Sequence, residues 1–451
     1  MKLPDQIRNR FEQDGDFFIE GHILAEPPVR IMGFKSLVDL PKTWANLQSR
    51  VQEADPDIAS DTHSSPASAL TVLNKLGQKI SEPDESRLLA ALTAGDLIIC
   101  YEDPETYLDV VPIPITLTRS IEQPLNENVL QGSASAFNDD LATNIGLLKR
   151  ELNTASLRTQ VYLAGNNSPR KLALLYLEGQ VEPALLQEVS ERLEAKKSWD
   201  LYNLQRLCKA LGFQPWKAVP KLYTTELPME AAHALRQGRV VLFLDRFPFA
   251  MILPALIGDM FMMENDRNYP ILFMHLIRGL RIAGILINLI MPGLYVALVS
   301  VNPEVLRIEL ALTIAESRSG VPYPAFIETL LLLIVLELII VASVRLPKSV
   351  GPTLTVVGGI ILGQAVVEAK LVSSLLIIIL AATSIANSAV VGFQNSLPIR
   401  LFKYLTLVLA SLYGVLGVMS GLVIICAYLA SVTTYGIPYL HFIKPKDDSN
   451  G

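Results

Sequence analysis

Residues 325–344 read AFIETLLLLIVLELIIVASV, twenty residues carrying two charges, Glu328 and Glu337. An α-helix needs about 20 apolar residues to cross about 30 Å of hydrocarbon, where every backbone polar group must be satisfied within the structure. Four further segments meet the same test: 282–301, 350–367, 371–391 and 404–430. The C-terminal half is therefore expected to be an all-α polytopic membrane domain over 240–443, with about five transmembrane helices and a polar tail at 444–451. Ahead of these spans, FPFAMILPALIGDMFMM (247–263) is shorter and contains Pro254 and Asp259. It reads as a re-entrant or interfacial segment rather than another crossing.

The N-terminal half is of a different kind. Of the 451 residues, 51% are hydrophobic and 18% charged, but these averages merge two unlike halves, with charges every few residues up to about residue 240 and isolated ones beyond Asn268. The contrast places a domain boundary near Arg239. The segment SRLLAALTAGDLIICYED predicts a helix, a stop at Gly95 and a buried strand from Leu97 to Tyr101. LALLYLEG predicts another strand and VEPALLQEVSERLEAKK an amphipathic helix. Ser65-Pro66 is a helix start for ASALTVLNKLGQKI, and DPDIASDTHSSP (55–66) is a loop. The alternation implies two small α/β subdomains, 1–115 and 116–235. The opening MKLPDQIRNRFEQDGD has no apolar core of a signal peptide, so this region is expected to be cytosolic.

Arg278 and Arg281, then Arg345 and Lys348, then Arg400 and Lys403 fall at alternate span ends, as the positive-inside rule requires for a cytosolic set. Five spans would put the C-terminus outside; Lys444 and Lys446 favour the opposite side. A net charge of −6 leaves no basic stripe for nucleic acid. Cys100, Cys208 and Cys426 stand alone, the histidines lack metal spacing, and no phosphate loop, dinucleotide fingerprint or nucleophile elbow is present. No enzyme activity, cofactor or metal is expected.

The chemistry-bearing candidates are intramembrane polar residues. Glu328 and Glu337 are nine residues apart, hence on nearly opposite faces of one helix and about 13 Å apart along it. A mid-membrane carboxylate lines a polar path or pairs with another helix, and Glu337 is the deeper of the two. Gln364 and Glu368 share a face, with Gly358, Gly359 and Gly363 nearby for close helix approach; they form a polar lining or a helix seam. Pro292 leaves the carbonyl of Asn288 without its helical donor, which gives a kink or a hinge. Asn387, Gln394 and Asn395 are candidates for interfacial polar contacts.

Two stretches resemble the A subunit family of bacterial spore germinant receptors, the GerA type, which includes a related spore membrane protein of the SpoVA operon. One is RSIEQPLNENVLQGSASAFNDDLATNIGLLKREL, with Arg119, Glu122, Pro124, Glu127, Gly132, Phe137, Asn144 and Arg150 at hallmark positions. The other comprises PGLYVAL (292–298), IAESRSGVPYPAFIE (314–328), RLPKSVG (345–351), GQAVVEAKLVS (363–373) and YGIPYL (435–440) in order. The chain departs from the family pattern at Gln131, over Asp245–Met251 and at Lys370. The resemblance implies a spore inner membrane protein that acts with a transporter-like B subunit and a lipoprotein C subunit. It also implies a homo-oligomer, a pentamer, forming a nutrient-gated ion channel that conducts cations. The alternatives are a non-conducting scaffold that clusters receptor complexes and a secondary transporter acting alone; the spans show no inverted repeat favouring the latter.

Overall fold

The computed structural model describes residues 3–12, 14–22, 29–54, 77–80, 84–102, 105–113, 124, 127, 133, 135–214, 216–345, 359 and 363–441. The chain divides into two compact units, residues 1–216 with 221–255 and 443–451, and residues 217–220 with 256–442.

The first unit holds two five-stranded antiparallel sheets. In the first, β1 (Phe17–His22), β2 (Val29–Phe34), β3 (Gln78–Lys79), β4 (Leu97–Glu102) and β5 (Glu105–Val110) run in the order β1-β2-β4-β5-β3. α1 (Leu3–Arg10), α2 (Leu40–Ala54) and α3 (Glu85–Ala94) accompany it. The helix-stop-strand reading holds here. Asp84 caps α3 by accepting from Glu85 N–H, and Gly95 at φ +102 closes it in a left-handed conformation that a side chain would strain. The strand that follows is buried because LIIC, central in its sheet, meets apolar neighbours on both faces. The last residues of the helix expected over 67–80 instead form β3, paired with β5. The 55–66 loop and the start of that helix lie outside the described residues.

The second sheet has the order β6-β7-β9-β10-β8, from β6 (Leu157–Ala164), β7 (Arg170–Leu177), β8 (Tyr223–Thr225), β9 (Val240–Leu244) and β10 (Ala250–Leu253). α4 (Leu141–Leu152), α5 (Pro183–Ala195), α6 (Leu204–Ala210) and α7 (Pro228–Arg236) belong with it. The boundary expected at 235 is thereby corrected to 255, since β9 sits between β7 and β10. The 247–263 stretch is likewise not a re-entrant helix. Its first part supplies β10, every residue of which is fully buried, and its remainder forms the single 3-10 turn Ile257–Met260. Four or five apolar residues in a row fit a core strand as well as the edge of a membrane segment, and hydropathy alone does not separate them.

The two subdomains meet across a charged seam. The Lys149 ammonium, on α4 and nearly buried, pairs with Asp16, lies 3.7 Å from Asp14 and stands 3.6 Å from the centre of the Phe34 ring. Asp16 also accepts from Ser36 N–H at 3.0 Å and from its hydroxyl at 2.6 Å. Gly15 N–H donates to Thr159 O at 2.9 Å, and a Cβ at Gly146 would come within 2.6 Å of Ser36 O. Burial pushes the Asp14 carboxyl up from its ordinary value, while Lys149 beside it pulls the other way.

Glu127 accepts a 2.8 Å hydrogen bond from the Thr225 hydroxyl. Burial, opposed by that bond, pushes its carboxyl up to about 7 from 4.5. Because the folded value is the higher one, the unfolded chain releases the proton first as pH rises. Stability from this group is complete below pH 4.5 and is lost through pH 7, up to about 3 kcal/mol in all. Urea unfolding of the first unit should therefore show a smaller loss between pH 5 and pH 8 in Glu127→Gln than in wild type. An equal loss in both would mean that the group does not titrate in that window.

The second unit is helical: α8 (Ile271–Val296), prolonged by a π-helical turn (Ala297–Val301), α9 (Ile308–Ser317), α10 (Ala325–Arg345), α11 (Ser374–Ser388) and α12 (Phe393–Ser431). Two short strands, β11 (Thr433–Thr434) and β12 (Ile437–Pro438), follow. Among the described residues, three runs are long and apolar enough to cross a membrane, Ile271–Val301, Ala325–Ser343 and Gln394–Ser431, which does not confirm the five expected. The expected 350–367 span lies largely outside the described residues. The span expected at 371–391 is shortened to the 15 residues of α11, because Ser373 caps its N-terminus.

The long run of α12 is two helices. Gly414 at φ +60 and ψ −137 breaks it, a conformation open in practice only to glycine. In a straight helix residues 417 and 409 would be about 12 Å apart along the axis, and 428 and 402 about 39 Å. Instead a Cβ at Gly417 would collide with Leu409 O, one at Gly421 would lie 3.1 Å from Thr406, and the Phe402 and Tyr428 rings stand 5.8 Å apart. The run 393–413 therefore turns back on itself as 415–431, and glycines allow the two arms to touch. Its apolar composition gave the sequence reading a single span at 404–430.

Candidate functional site

Glu328, 1% exposed, accepts from Ser373 N–H at 2.6 Å and so caps α11 from the first turn of α10. Its other oxygen lies 3.4 Å from Arg318, which in turn donates to Tyr323 O at 3.0 Å. The Tyr295 and Ser373 hydroxyls share a 2.9 Å hydrogen bond. A buried carboxylate here is offset by one cation and one helix N-terminus, both of which stabilise negative charge. The cluster fastens α8, α10, α11 and the 318–324 turn together.

Asn288 and Asn387 meet. The Asn288 amide donates to Asn387 Oδ1 at 2.8 Å, with both residues buried. Gly284 permits the approach, since a Cβ there would lie 3.1 Å from Ala386 O. α8 continues through Pro292 as a helix. The carbonyl that gains an outside donor is that of Leu289, which receives the Thr406 hydroxyl at 2.8 Å. Irregular winding comes later, at the π turn 297–301.

Glu337 is paired within the chain. Lys403 donates to its Oε1 at 2.8 Å and Arg400 to its Oε2 at 3.3 Å, and all three side chains are largely buried. Arg400 and Lys403 thus stand inside the first arm of α12, not in a loop between spans, and act as partners of an intramembrane acid. Glu328 and Glu337 do face opposite ways, one toward α11 and the other toward α12. Gln364 and Glu368, on the helical stretch 363–368, are both exposed. The structure therefore brings Asn288 together with Asn387, gives Glu328 and Glu337 partners, and leaves Gln364 and Glu368 on an open face.

The bend at Gly414 is held by a residue the sequence reading passed over. Asn302, just after the π turn, accepts from Val415 N–H at 3.0 Å and donates to Glu304 at 2.8 Å. Its side chain occupies the place a Cβ at Gly414 would take. Asn302 stands to the second arm as an N-cap does, and Asn302→Ala is expected to lower stability by about 1–2 kcal/mol. Thermal unfolding in detergent checks this; an unchanged midpoint would mean the bend does not need the cap. The sequence signals were Asn302-Pro303 after an apolar run and the spacing Gly414, Gly417, Gly421. Ser373, Tyr295 and Thr406 carried no spacing signal, because their partners lie far off in the chain, while Arg318 reaches Glu328 across the turn between α9 and α10.

A family model described as the Bacillus/Clostridium GerA spore germination protein matches residues 5–450. The chain is 31% identical over 374 residues to spore germination protein GerLA of Bacillus cereus, covering 82% of this chain and 75% of that protein. It is 32% identical over 337 residues to spore germination protein A1 of Bacillus subtilis strain 168, covering 74% and 70%. Among solved structures, the N-terminal domain of the A subunit of the Bacillus megaterium spore germinant receptor GerK3 aligns with a TM-score of 0.39 and 20% identity, over 56% of this chain and 94% of that domain.

Proposed function

The chain belongs to the GerA family of spore germination proteins, and from that premise we propose that it is the subunit of an oligomeric, nutrient-gated channel passing cations across the spore inner membrane. As a germinant-receptor A-subunit-like membrane protein it associates with other receptor subunits. In this reading these are a transporter-like B subunit, a lipoprotein C subunit and further copies of itself, five in all.

One observation carries the conduction reading. Glu328, Glu337, Asn288 and Asn387 are paired inside a single chain, whereas Gln364 and Glu368 are exposed one turn apart on the helical stretch 363–368. An ionisable group in hydrocarbon calls for water, a cation or a partner. Repeated around an axis of identical subunits, Glu368 forms an acidic ring that attracts cations, with Gln364 one turn away on the same face. Glu337, with two cations beside it, is a packing pair in this scheme rather than the selectivity element.

The fold-back bears on topology. Ile257 N–H donates to Tyr439 O at 3.0 Å, so the described C-terminus returns to the end of the unit at which the chain enters it. In this reading that end of the second unit, with the described C-terminus, faces the cytosol. In a strain whose other A subunits are deleted, loss of this chain should abolish nutrient-triggered cation release from spores, and re-expression should restore it. Release that proceeds normally without the chain contradicts the reading.

A further inference from the structure

Residues 217–220 leave the first unit between α6 and β8 and belong to the second. Val219, 2% exposed, enters a core with Met260, Phe261, Ile399, Val432 and Tyr439. Ala218 N–H donates to the Tyr428 hydroxyl at 3.1 Å. Tyr428 lies on the second arm of α12, and its ring packs edge-on against Phe402 of the first arm. One side chain thus touches the loop through its hydroxyl and both arms of the fold-back through its ring and backbone. Leu211 and Phe213 before the loop and Leu222 and Tyr223 after it are buried.

We propose that the Tyr428 hydroxyl is a positioning group that ties loop 217–220 to the second arm of α12, so that displacement of the loop moves that arm and, through it, the bend at Gly414. The inference rests on the gated-channel reading and names where a signal enters the helices. A helix is stiff along its axis, so a pull at Tyr428 reaches Val415, about 20 Å away, without intervening loops. The arm has two positions in this scheme, and the loop distinguishes them.

Tyr428→Phe keeps the ring on Phe402 and removes only the acceptor for Ala218. In detergent-solubilised full-length protein, amide exchange of the 213–222 peptide should quicken by about tenfold at Ala218, the effect of losing one hydrogen bond. In spores with the variant at wild-type abundance, the nutrient response should slow or require more nutrient. Faster exchange with an altered response supports the proposal. Unchanged exchange, or faster exchange with a normal response, overturns it. A wild-type chain that makes no difference to germination overturns the channel reading and the proposal with it, whatever the exchange rate. Should Tyr428→Phe accumulate poorly, Ala218→Pro removes the donor N–H and leaves Tyr428 in place. A slowed response at wild-type abundance supports the tether; a normal response overturns it.

Discussion

Expressed alone, residues 1–255 should give a soluble protein that melts cooperatively, whereas a fragment ending at residue 235 should not fold. The shorter fragment lacks β9 and β10, whose nine residues are at most 1% exposed. Burying each large apolar side chain stabilises a fold by about 1.5–3 kcal/mol, so the omission removes well over about 10 kcal/mol. A domain has only about 5–15 kcal/mol to lose. The loss is also topological, since β9 is the strand that joins β7 to β10, and without it β8 has no sheet to complete. Circular dichroism melts of the two fragments check this. A cooperative transition from the 235 fragment would show that the last two strands are dispensable.

The same two strands show where the sequence was legible and where it was not. Local signals are strong wherever a cap, a stop and a period coincide, as at Asp84, Gly95 and the strand that follows, and there the reading and the structure agree. VVLFL and AMIL carry no period and lie against a long apolar half, so composition assigned them to the membrane. Gly414 was hidden for the opposite reason. It lies inside a run apolar enough to be one helix, and the reversal depends on φ and on Asn302, more than a hundred residues earlier. Of the candidate residues, the two acids of α10 were correctly set on opposite faces by helix geometry alone. Their partners were not foreseen, because Arg400 and Lys403 read as topology markers.

Glu337→Gln should lower stability and yield without acting on selectivity. The substitution leaves Lys403 and Arg400 in a low-dielectric setting with their carboxylate gone, and breaking a buried pair in this way costs about 3–5 kcal/mol. Adding Lys403→Met removes one of the stranded charges, so the double variant should lose less than the sum of the two single changes. Thermal unfolding in detergent measures both. Additive losses would mean that the pair is not coupled, and an unaffected Glu337→Gln would mean that water already screens it.

The most direct measurement is the cation-over-anion permeability of vesicles reconstituted with the assembled receptor carrying Glu368→Gln. Wild-type assembly with a permeability ratio lowered by about tenfold or more is the predicted result, in line with what a ring of like charges does to local counter-ion concentration. A ratio unchanged in Glu368→Gln, alongside a fully assembled Glu337→Gln receptor that has lost its selectivity, would contradict it and return the pore to α10.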